Sequence, residues 1–285
     1  MEIFSNPSEI HRCVNEYHKA GHKIGLVPTM GALHEGHLSL MRKAREECDK
    51  VVVSIYVNPT QFSPTEDLTQ YPRPFERDVK LCESVGVDMI LHLHDTDMYP
   101  ENYNTYVNVE YLTETLCGAS RPQHFRGVTT IVSKLFNLAK PNVAYFGQKD
   151  AQQAIILKRM TEDLNFDTKI EVCPIVREAD GLALSSRNIY LSEEQRTEAV
   201  VLNQALNQAL QMFNDGESNA SVVRNNIVRM IEANTSGKID YVEIVSLETL
   251  RSIETLTENA LIALAVFFGK TRLIDNQLLP GNIEI

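Results

Sequence analysis

The stretch "LVPTMGALHEGHLSL", residues 26–40, decides how the first half of the chain folds. It begins as an apolar strand, passes through a glycine-containing turn and continues as a helix whose first turn contains His34 and His37. Residues three apart share a helix face, so both rings can face one point, and Gly36 leaves room there for a flat ligand. The first turn of a helix also presents unpaired N–H groups and the positive end of the helix dipole. The pattern therefore predicts an anion site on a strand–turn–helix unit.

Two other interpretations of the histidine pair stay open on sequence grounds. The spacing HxxH also occurs in zinc sites, although two histidines at this spacing are weak evidence for zinc. The two rings can also do no more than cap the helix. In the anion-site interpretation, their N–H groups donate hydrogen bonds to an oxyanion that gains charge in a transition state.

Strands and helices alternate around this stretch. The run at residues 51–58 is rich in β-branched residues and is typical of a strand that is buried on both faces of a parallel sheet. The alternation predicts an α/β fold with an open, doubly wound, Rossmann-like parallel sheet, in which ligands bind at the carboxyl ends of the strands. The predicted strands cover residues 23–29, 51–58, 87–94, 142–147 and 169–176.

The pattern changes after about residue 175. Residues 192–213 predict one long amphipathic helix that is opened by Ser192 and two acidic residues, and a second helix follows. Three apolar runs then predict a small antiparallel sheet. We therefore predict a Rossmann-like domain over residues 1–175 and a smaller α+β domain over residues 176–285 that closes over the site.

The composition excludes several classes of protein. The chain has 285 residues and a formal net charge of -11, and an acidic surface repels phosphate backbones, so nucleic acid is not an expected partner. No basic and then apolar leader is visible, and the longest apolar run, residues 260–268, is shorter than the roughly 20 residues of a membrane span. We therefore expect no membrane partner. Five widely spaced cysteines without a CxxC pair predict reduced thiols and a cytoplasmic location.

Four further blocks follow the histidine stretch: "VNPTQF" (57–62), "RPQHFRGV" (121–128), "FGQKDAQQ" (146–153) and "LSSRN" (184–188). In order and approximate spacing, the five blocks resemble the pantothenate synthetase (pantoate–β-alanine ligase) family of the HxGH nucleotidyltransferase superfamily. That superfamily also includes the class I aminoacyl-tRNA synthetases. The resemblance covers residues 26 to 188 and implies an ATP-dependent ligase in which the domain over residues 1–175 binds ATP and pantoate.

The resemblance implies an ATP site, and the chemistry of the residues suits one. Lys149 brings a point charge to phosphate oxygens, Asp150 can accept hydrogen bonds from ribose hydroxyls, and Arg187 can neutralise a departing pyrophosphate. If the other sequence blocks were absent, Lys149 and Asp150 would be interpreted as a solvated ion pair, and the serines before Arg187 as a helix cap. Leu184 stands where the family usually has methionine. The residues carried over as ATP-binding are Met30, Gly31, Ala32, Leu33, His34, Glu35, Gly36, His37, Gly147, Gln148, Lys149, Asp150, Val176, Leu184, Ser185, Ser186 and Arg187.

Two glutamines match the family's pantoate-binding positions. Gln61 and Gln153 carry neutral amides, which can orient a carboxylate without blunting its attack as a tight ion pair would. The resemblance also places Gln61 at the β-alanine site. Arg121 and His124 match a further block and are possible site residues.

The resemblance implies that the carboxylate of pantoate attacks the α-phosphate of ATP, and that β-alanine then displaces AMP from pantoyl adenylate. The expected catalytic residues are His37, the proton donor by analogy, together with His34, Lys149 and Arg187. Magnesium is expected to arrive with ATP, and its protein ligands are unknown. We also expect a lid at residues 59–74 and, from the family alone, a homodimer.

Other functions remain open at this point. Another HxGH nucleotidyltransferase, one that makes a nucleotide cofactor, would share the histidine block but would not release AMP. A non-enzymatic nucleotide sensor would bind ATP without turnover. An aminoacyl-tRNA synthetase would need a basic tRNA-binding module, which a chain with a net charge of -11 does not provide. His92 and His94 can share a strand face in a metal cluster, although a strand end that leads into a polar loop also explains them.

Overall fold

The computed structural model describes residues 1–64 and 66–280 and divides into two compact units. The first unit comprises Met1–Glu110, Arg121–Gly147 and Ile156–Cys173. The second comprises Tyr111–Ser120, Gln148–Ile155 and the chain from Pro174 onward. The division after Cys173 lies close to the expected boundary. Two segments that we expected in the first domain belong to the second unit, and the last five residues of the expected second domain lie outside the described residues.

The first unit is built on a parallel six-stranded sheet, which confirms the predicted α/β, Rossmann-like fold. The order is β1-β4-β3-β2-β5-β6, so the chain adds strands on one side of β2 and then resumes on the other side. The topological switch point therefore lies between β2 and β5, and open α/β sheets bind ligands outside the carboxyl ends of the strands at such a point. The strands are β1 (Glu2–Phe4), β2 (Ile24–Thr29), β3 (Lys50–Ile55), β4 (Met89–Leu91), β5 (Val143–Gly147) and β6 (Lys169–Cys173).

Helices follow the strands, and the apolar residues between sheet and helices form two buried clusters. Ile24 and Leu26 of β2 lie in one cluster and Val27 lies in the other, because successive residues of a strand face opposite ways. Strand β1 and the helix that follows it, at Pro7–Lys19, were not predicted from the sequence. The helices up to β6 are α1 (Pro7–Lys19), α2 (Glu35–Glu47), α3 (Phe75–Ser84), α4 (Asp95–Met98), α5 (Cys117–Ser120), α6 (His124–Ala139) and α7 (Ala151–Asp163).

The second unit contains the predicted antiparallel sheet, in the order β7-β8-β9, and helices with their own apolar core. The single long helix predicted at residues 192–213 is wrong. At Ala199 and Val200 the ladder tightens into an i→i+3 bond from the N–H of Leu202 to the carbonyl of Ala199, which splits the helix in two. The elements are α8 (Glu193–Glu198), α9 (Val201–Asn214), α10 (Ala220–Asn234), β7 (Lys238–Ser246), β8 (Ala260–Phe268) and β9 (Thr271–Leu279). Among the helices of the described residues, none is long and apolar enough to span a membrane.

Gly127 gives a test of how α6 packs in the first unit. A Cβ atom at this position would lie 2.4 Å from the carbonyl oxygen of Thr60 and 2.7 Å from the backbone nitrogen of Gln61. We expect Gly127→Ala to lower the free energy of unfolding by about 1–3 kcal/mol despite the better helix propensity of alanine, because the clash is with backbone atoms. Thermal and urea unfolding measure this effect. Gly147→Ala is the matched control, because its Cβ would meet no atom within 4 Å. Equal losses in the two variants would contradict the packing argument.

Candidate active site

The turn between β2 and α2 is held by a buried carboxylate. Gly31 and Ala32 have φ angles of 80° and 51°, which lie in the left-handed region. This conformation is energetically unfavourable for a residue that has a Cβ atom, such as Ala32. Asp78 of α3 accepts hydrogen bonds from the N–H groups of Ala32 (2.7 Å) and Leu33 (2.9 Å). Burial raises the pKa of Asp78, and the two N–H donors only partly offset that effect. The carboxylate therefore fixes a strained turn directly before the first histidine.

The two histidines cap the helix that they open. Nδ1 of His34 accepts the N–H of Gly36 (3.2 Å), and Nδ1 of His37 accepts the N–H of His34 (3.3 Å). The two ring centroids lie 4.1 Å apart. A neutral imidazole that accepts at Nδ1 carries its proton on Nε2, so Nε2 is the donor atom of each ring. The capping interpretation is confirmed, and it defines the donor atom that the anion-site interpretation needs.

Within the described part of the chain, no metal site of the usual kind forms around these histidines. Across residues 1–64 and 66–280, no group of three or more His, Cys, Asp or Glu side chains can hold a metal ion. His92 instead stacks on Phe75, with ring centroids 3.9 Å apart. Burial, together with the nearby His94 ring, lowers the pKa of His92. The zinc interpretation of His34 and His37 and the metal interpretation of His92 and His94 both lack support among these residues.

Gln61 lies against the histidine stretch. Its Nε2 is 2.9 Å from the sulfur of Met30, and its Oε1 accepts a hydrogen bond of 3.1 Å from Nδ2 of Asn58. Asn58 is 1% exposed, donates also to the carbonyl of Gly127 and accepts from the hydroxyl of Tyr99 (2.7 Å). The Gln61 amide is thereby held in one orientation. Asn58 was not among the site residues expected from the sequence, although a polar residue directly after the largely apolar run 51–57 was a usable signal.

Arg121 and His124 hold the backbone at Gln61. The guanidinium of Arg121 grips Glu66 through two bonds of 2.7 Å, and its Nη1 lies 3.0 Å from Nε2 of His124. Because a guanidinium only donates, Nε2 of His124 accepts, and Nδ1 donates to the carbonyl of Gln61 (2.8 Å). Burial favours the neutral form of Glu66, but the bonds to Arg121 outweigh it and lower the pKa of Glu66. The lid role expected for residues 59–74 stays a prediction, and Thr65 within it lies outside the described residues.

A cavity of about 530 Å³ opens beside the histidine stretch within the first unit. Met30, Gly31 and Asp78 line one part of it, and Tyr56 and Asp95 line another. The hydroxyl of Tyr56 donates to Asp95 (2.8 Å), and burial, more than this bond, raises the pKa of Tyr56. The space is large enough for a small ligand.

The expected ATP-binding residues of the second unit lie in two segments. The first is the 3-10 turn Gln148–Asp150, which leads into α7. Nζ of Lys149 lies 3.6 Å from the Asp150 carboxylate, and the Lys149 side chain is 22% exposed. The ion pair of the alternative interpretation is therefore present, but the lysine end of it is largely buried. Gln153 follows in α7 and is half-buried.

The second segment is a short hairpin followed by a 3-10 turn. The carbonyl of Val176 accepts the N–H of Leu184 (3.0 Å), which closes the hairpin. Ser185 caps the turn Ser186–Tyr190, because its hydroxyl accepts the N–H of Arg187 (3.2 Å). The serine cap that the sequence offered as an alternative is thus present, and Arg187 lies at the beginning of the turn.

The two units divide the expected site residues between them. The first unit contains Met30, Gly31, Ala32, Leu33, His34, Glu35, Gly36, His37, Gln61, Arg121, His124 and Gly147, and the second contains Gln148, Lys149, Asp150, Gln153, Val176, Leu184, Ser185, Ser186 and Arg187. Within the first unit, Gln61 lies next to Met30 and is linked to Arg121 and His124. Glu35 is exposed and pairs with Arg42 on the surface of α2.

Comparison with protein families gives a match over almost the whole chain. A family model described as pantoate-β-alanine ligase matches residues 2–278. The pantothenate synthetase of Pelotomaculum thermopropionicum is 55% identical over 279 residues, which cover 98% of this chain and 99% of that protein. The pantothenate synthetase of Acetivibrio thermocellus is 52% identical with the same coverage.

Solved structures agree with the sequence comparison. The crystal structure of pantothenate synthetase from Thermus thermophilus superposes with a TM-score of 0.92 at 42% identity, covering 97% of this chain and 98% of that chain. Pantoate-β-alanine ligase from Francisella tularensis, complexed with β-γ ATP and β-alanine, gives a TM-score of 0.82 at 37% identity and covers 99% of both chains.

Asp78→Asn tests the role of the buried carboxylate. The substitution turns one acceptor oxygen into an NH2 group, so one of the two backbone N–H groups at Ala32 and Leu33 loses its partner. We expect a loss of about 1–3 kcal/mol in the free energy of unfolding and faster amide hydrogen exchange at Ala32 and Leu33. Glu76→Gln, at an exposed position of the same helix, is the matched control. Unchanged exchange at both amides would show that the turn does not depend on Asp78.

Proposed function

The chain belongs to the pantoate–β-alanine ligase family and is an enzyme of this type, and from this premise we propose that it joins pantoate and β-alanine at the expense of ATP, through pantoyl adenylate, with release of pyrophosphate and AMP. The match over residues 2–278 carries the proposal. The capped histidine pair, with Nε2 as the donor of each ring, supplies the chemistry for it. A related ligase that has been crystallised with β-γ ATP and β-alanine supports the choice of substrates.

In the first step, a carboxylate oxygen of pantoate attacks the α-phosphorus of ATP in line, and the bond from that phosphorus to the pyrophosphate oxygen breaks. In the second step, the amine of β-alanine attacks the acyl carbon of pantoyl adenylate. The acyl carbon–oxygen bond breaks, AMP leaves with the oxygen that came from pantoate, and the nitrogen gives up a proton. No protein nucleophile takes part, so catalysis consists of positioning and charge stabilisation.

We assign the charge stabilisation to four residues. His34 and His37 donate hydrogen bonds from Nε2 to phosphate oxygens that gain charge. Because a neutral ring that lost its Nε2 proton would become an imidazolate, the donor role expected of His37 is hydrogen-bond donation. Lys149 and Arg187 neutralise the triphosphate and the departing pyrophosphate. The half-buried Lys149 suits this role, because a charge that is partly removed from water acts more strongly on an anion.

Gln61 and Gln153 bind pantoate in this proposal, and Gln61 also contacts β-alanine. The bond from Asn58 holds the Gln61 amide in one orientation, which spares the cost of ordering it when the substrate binds. Neither glutamine carries a charge that would lower the nucleophilicity of the carboxylate.

Magnesium belongs to the proposal as a companion of ATP. No cluster of carboxylates or histidines in the described part of the chain can hold a metal ion alone, which suits an ion whose ligands are mainly phosphate oxygens and water. When bound, it would neutralise phosphate charge. The homodimer and the cytoplasmic location also stay predictions. Light scattering of the purified protein tests the first of these, and cell fractionation tests the second.

The overall reaction is tested by AMP release. We expect AMP and pyrophosphate to form from ATP only when both pantoate and β-alanine are present. Pantoate that carries ¹⁸O in its carboxylate should transfer one labelled oxygen to AMP, because the bridging oxygen of the adenylate leaves with the nucleotide. Formation of ADP, or label in inorganic phosphate, would contradict the adenylate. ATP binding without any turnover would favour the nucleotide sensor, and a dinucleotide product would favour a cofactor-forming nucleotidyltransferase.

His37→Ala tests the role of the imidazole. Loss of one preorganised donor to a developing oxyanion costs about 10²–10³-fold in kcat, so we expect a loss of that order with a smaller effect on the KM for pantoate. His18→Ala is the control, because His18 is an exposed histidine that contacts the Lys140 carbonyl and has no assigned role. Full turnover by the His37 variant would remove this residue from the mechanism and leave the ligase assignment standing.

A further inference from the structure

Strand β9 contains two adjacent buried polar residues, Asp275 and Asn276, each of which is 3% exposed. Successive residues of a strand point to opposite faces, so a strand that buries both must have a partner on each side. A buried polar group costs free energy unless it is hydrogen-bonded. The hydrogen-bond partners of these two side chains therefore show which segments of the second unit are anchored to β9.

The Asn276 amide bonds to the turn that contains Lys149. Nδ2 of Asn276 donates to the carbonyls of Gln148 (2.9 Å) and Lys149 (3.0 Å), and Oδ1 accepts from Nε2 of Gln148 (3.2 Å). Backbone carbonyls only accept, so the opposite orientation of the Asn276 amide would face two acceptors with an oxygen. The three bonds therefore define a single orientation of the side chain.

The geometry of these bonds constrains one residue in particular. The carbonyl of Gln148 belongs to the peptide plane before the Cα atom of Lys149, and the carbonyl of Lys149 belongs to the plane after it. Peptide bonds are planar, so only the two torsions at the Cα atom relate these planes. A single NH2 group that binds both carbonyls thus fixes φ and ψ of Lys149, and with them the direction in which its side chain leaves the backbone.

Asp275 keeps Asn276 itself in place. Its carboxylate receives a two-pronged bond from Arg177 (2.6 and 2.9 Å) and the backbone N–H of Asn276 (2.8 Å). Arg177 also donates to the carbonyl of Gly181, within the hairpin that contains Val176. The pairing of β9 with β8, with Ala263 opposite Asn276, fixes the strand from its other edge.

We propose that Asn276 is a positioning residue of the enzyme: by fixing both peptide planes that flank Lys149, it directs the lysine ammonium toward the phosphates of ATP. The inference rests on the proposed function, in which Lys149 binds the triphosphate. Asn276 does not touch the substrate. It acts through Lys149. If φ and ψ of Lys149 were free to vary, fixing them together with the long side chain would cost conformational entropy when ATP binds.

The test compares Asn276→Asp with Gln277→Glu. Both replace a neutral amide by a carboxylate on neighbouring residues of one strand, but within the described part of the chain the Gln277 amide donates to the carbonyl of Leu278 and not to the Lys149 turn. Because a misplacement of about 1 Å can cost on the order of 10²-fold, we expect Asn276→Asp to lower ATP affinity and kcat/KM for ATP by about 10- to 100-fold. Gln277→Glu should stay within about twofold of the parent protein on the same basis. Parental values for Asn276→Asp would overturn the proposal.

A double-mutant cycle separates positioning from a structural role. If Asn276 acts through Lys149, then Asn276→Asp costs little further ATP affinity in a Lys149→Met background, because the group that it positions is already absent. A merely structural defect would lower affinity by the same factor in both backgrounds, and that result would overturn the proposal. Should Asn276→Asp fail to fold in a thermal unfolding experiment, Asn276→Ser takes its place in the cycle, since it removes the donor without adding a charge.

Calorimetric titration with ATP alone keeps this inference distinguishable from the ligase assignment. If the parent protein binds ATP but shows no turnover that depends on pantoate and β-alanine, the ligase mechanism fails, and the affinities of the Asn276 and Gln277 variants still decide the role of Asn276. If turnover is normal and Lys149→Met binds ATP as tightly as the parent, the positioning role of Asn276 fails alone. Absence of ATP binding by the folded parent protein would overturn both.

Discussion

Two backbone N–H groups that donate to one buried carboxylate hold the turn on which the candidate site residues of the first unit depend. Asp78 binds the N–H groups of Ala32 and Leu33. Gly31 and Ala32 both have left-handed backbone conformations there, and only the first of them is a glycine. The turn decides where α2 begins, and the beginning of α2 decides which nitrogen of His34 and of His37 carries the proton. A contact across 46 positions of the sequence therefore determines the chemistry of the histidine pair.

Local pattern was enough to predict five of the six parallel strands and the segments expected to bear the site. The β-branched run at 51–58 and the strand before His34 predicted parallel strands, and the switch point between β2 and β5 follows from the order in which the chain adds them. The blocks around Gln61, Lys149 and Arg187 were recognisable because each joins an unusual residue set to the end of a strand or the start of a helix. These features are local, and a few consecutive residues encode them.

What local pattern could not supply was the partner of each buried polar group. In the sequence, Asp78 resembles any other charged residue of an amphipathic helix, and Asn276 resembles the end of a strand. No neighbouring residue indicates which N–H or carbonyl group each of them binds. Strand β1 has only three residues, too few for a periodic signal. The break at Ala199 and Val200 was missed for a different reason: both residues keep helical torsions, so apolar spacing continues through a turn that has tightened. Most of the features that could not be predicted from the sequence are hydrogen bonds between buried polar groups that lie far apart along the chain, which apolar periodicity does not reveal.

The composition of the second unit has a consequence for biosynthesis. It includes the segments 111–120 and 148–155, which are made before the last strand of the first unit's sheet. Lys149 and the asparagine that holds its carbonyl are separated by 127 positions. A ribosome must therefore add α7, β6, the hairpin at residues 176–184, three more helices (α8 to α10) and the strands β7 and β8 before Asn276 can bind the carbonyl of Lys149. Until then the nascent protein has the lysine but not its fixed direction, so under the proposed role of Lys149 the ability to bind a nucleotide arises late in translation, well after Asp78 has been made and can hold the histidine turn.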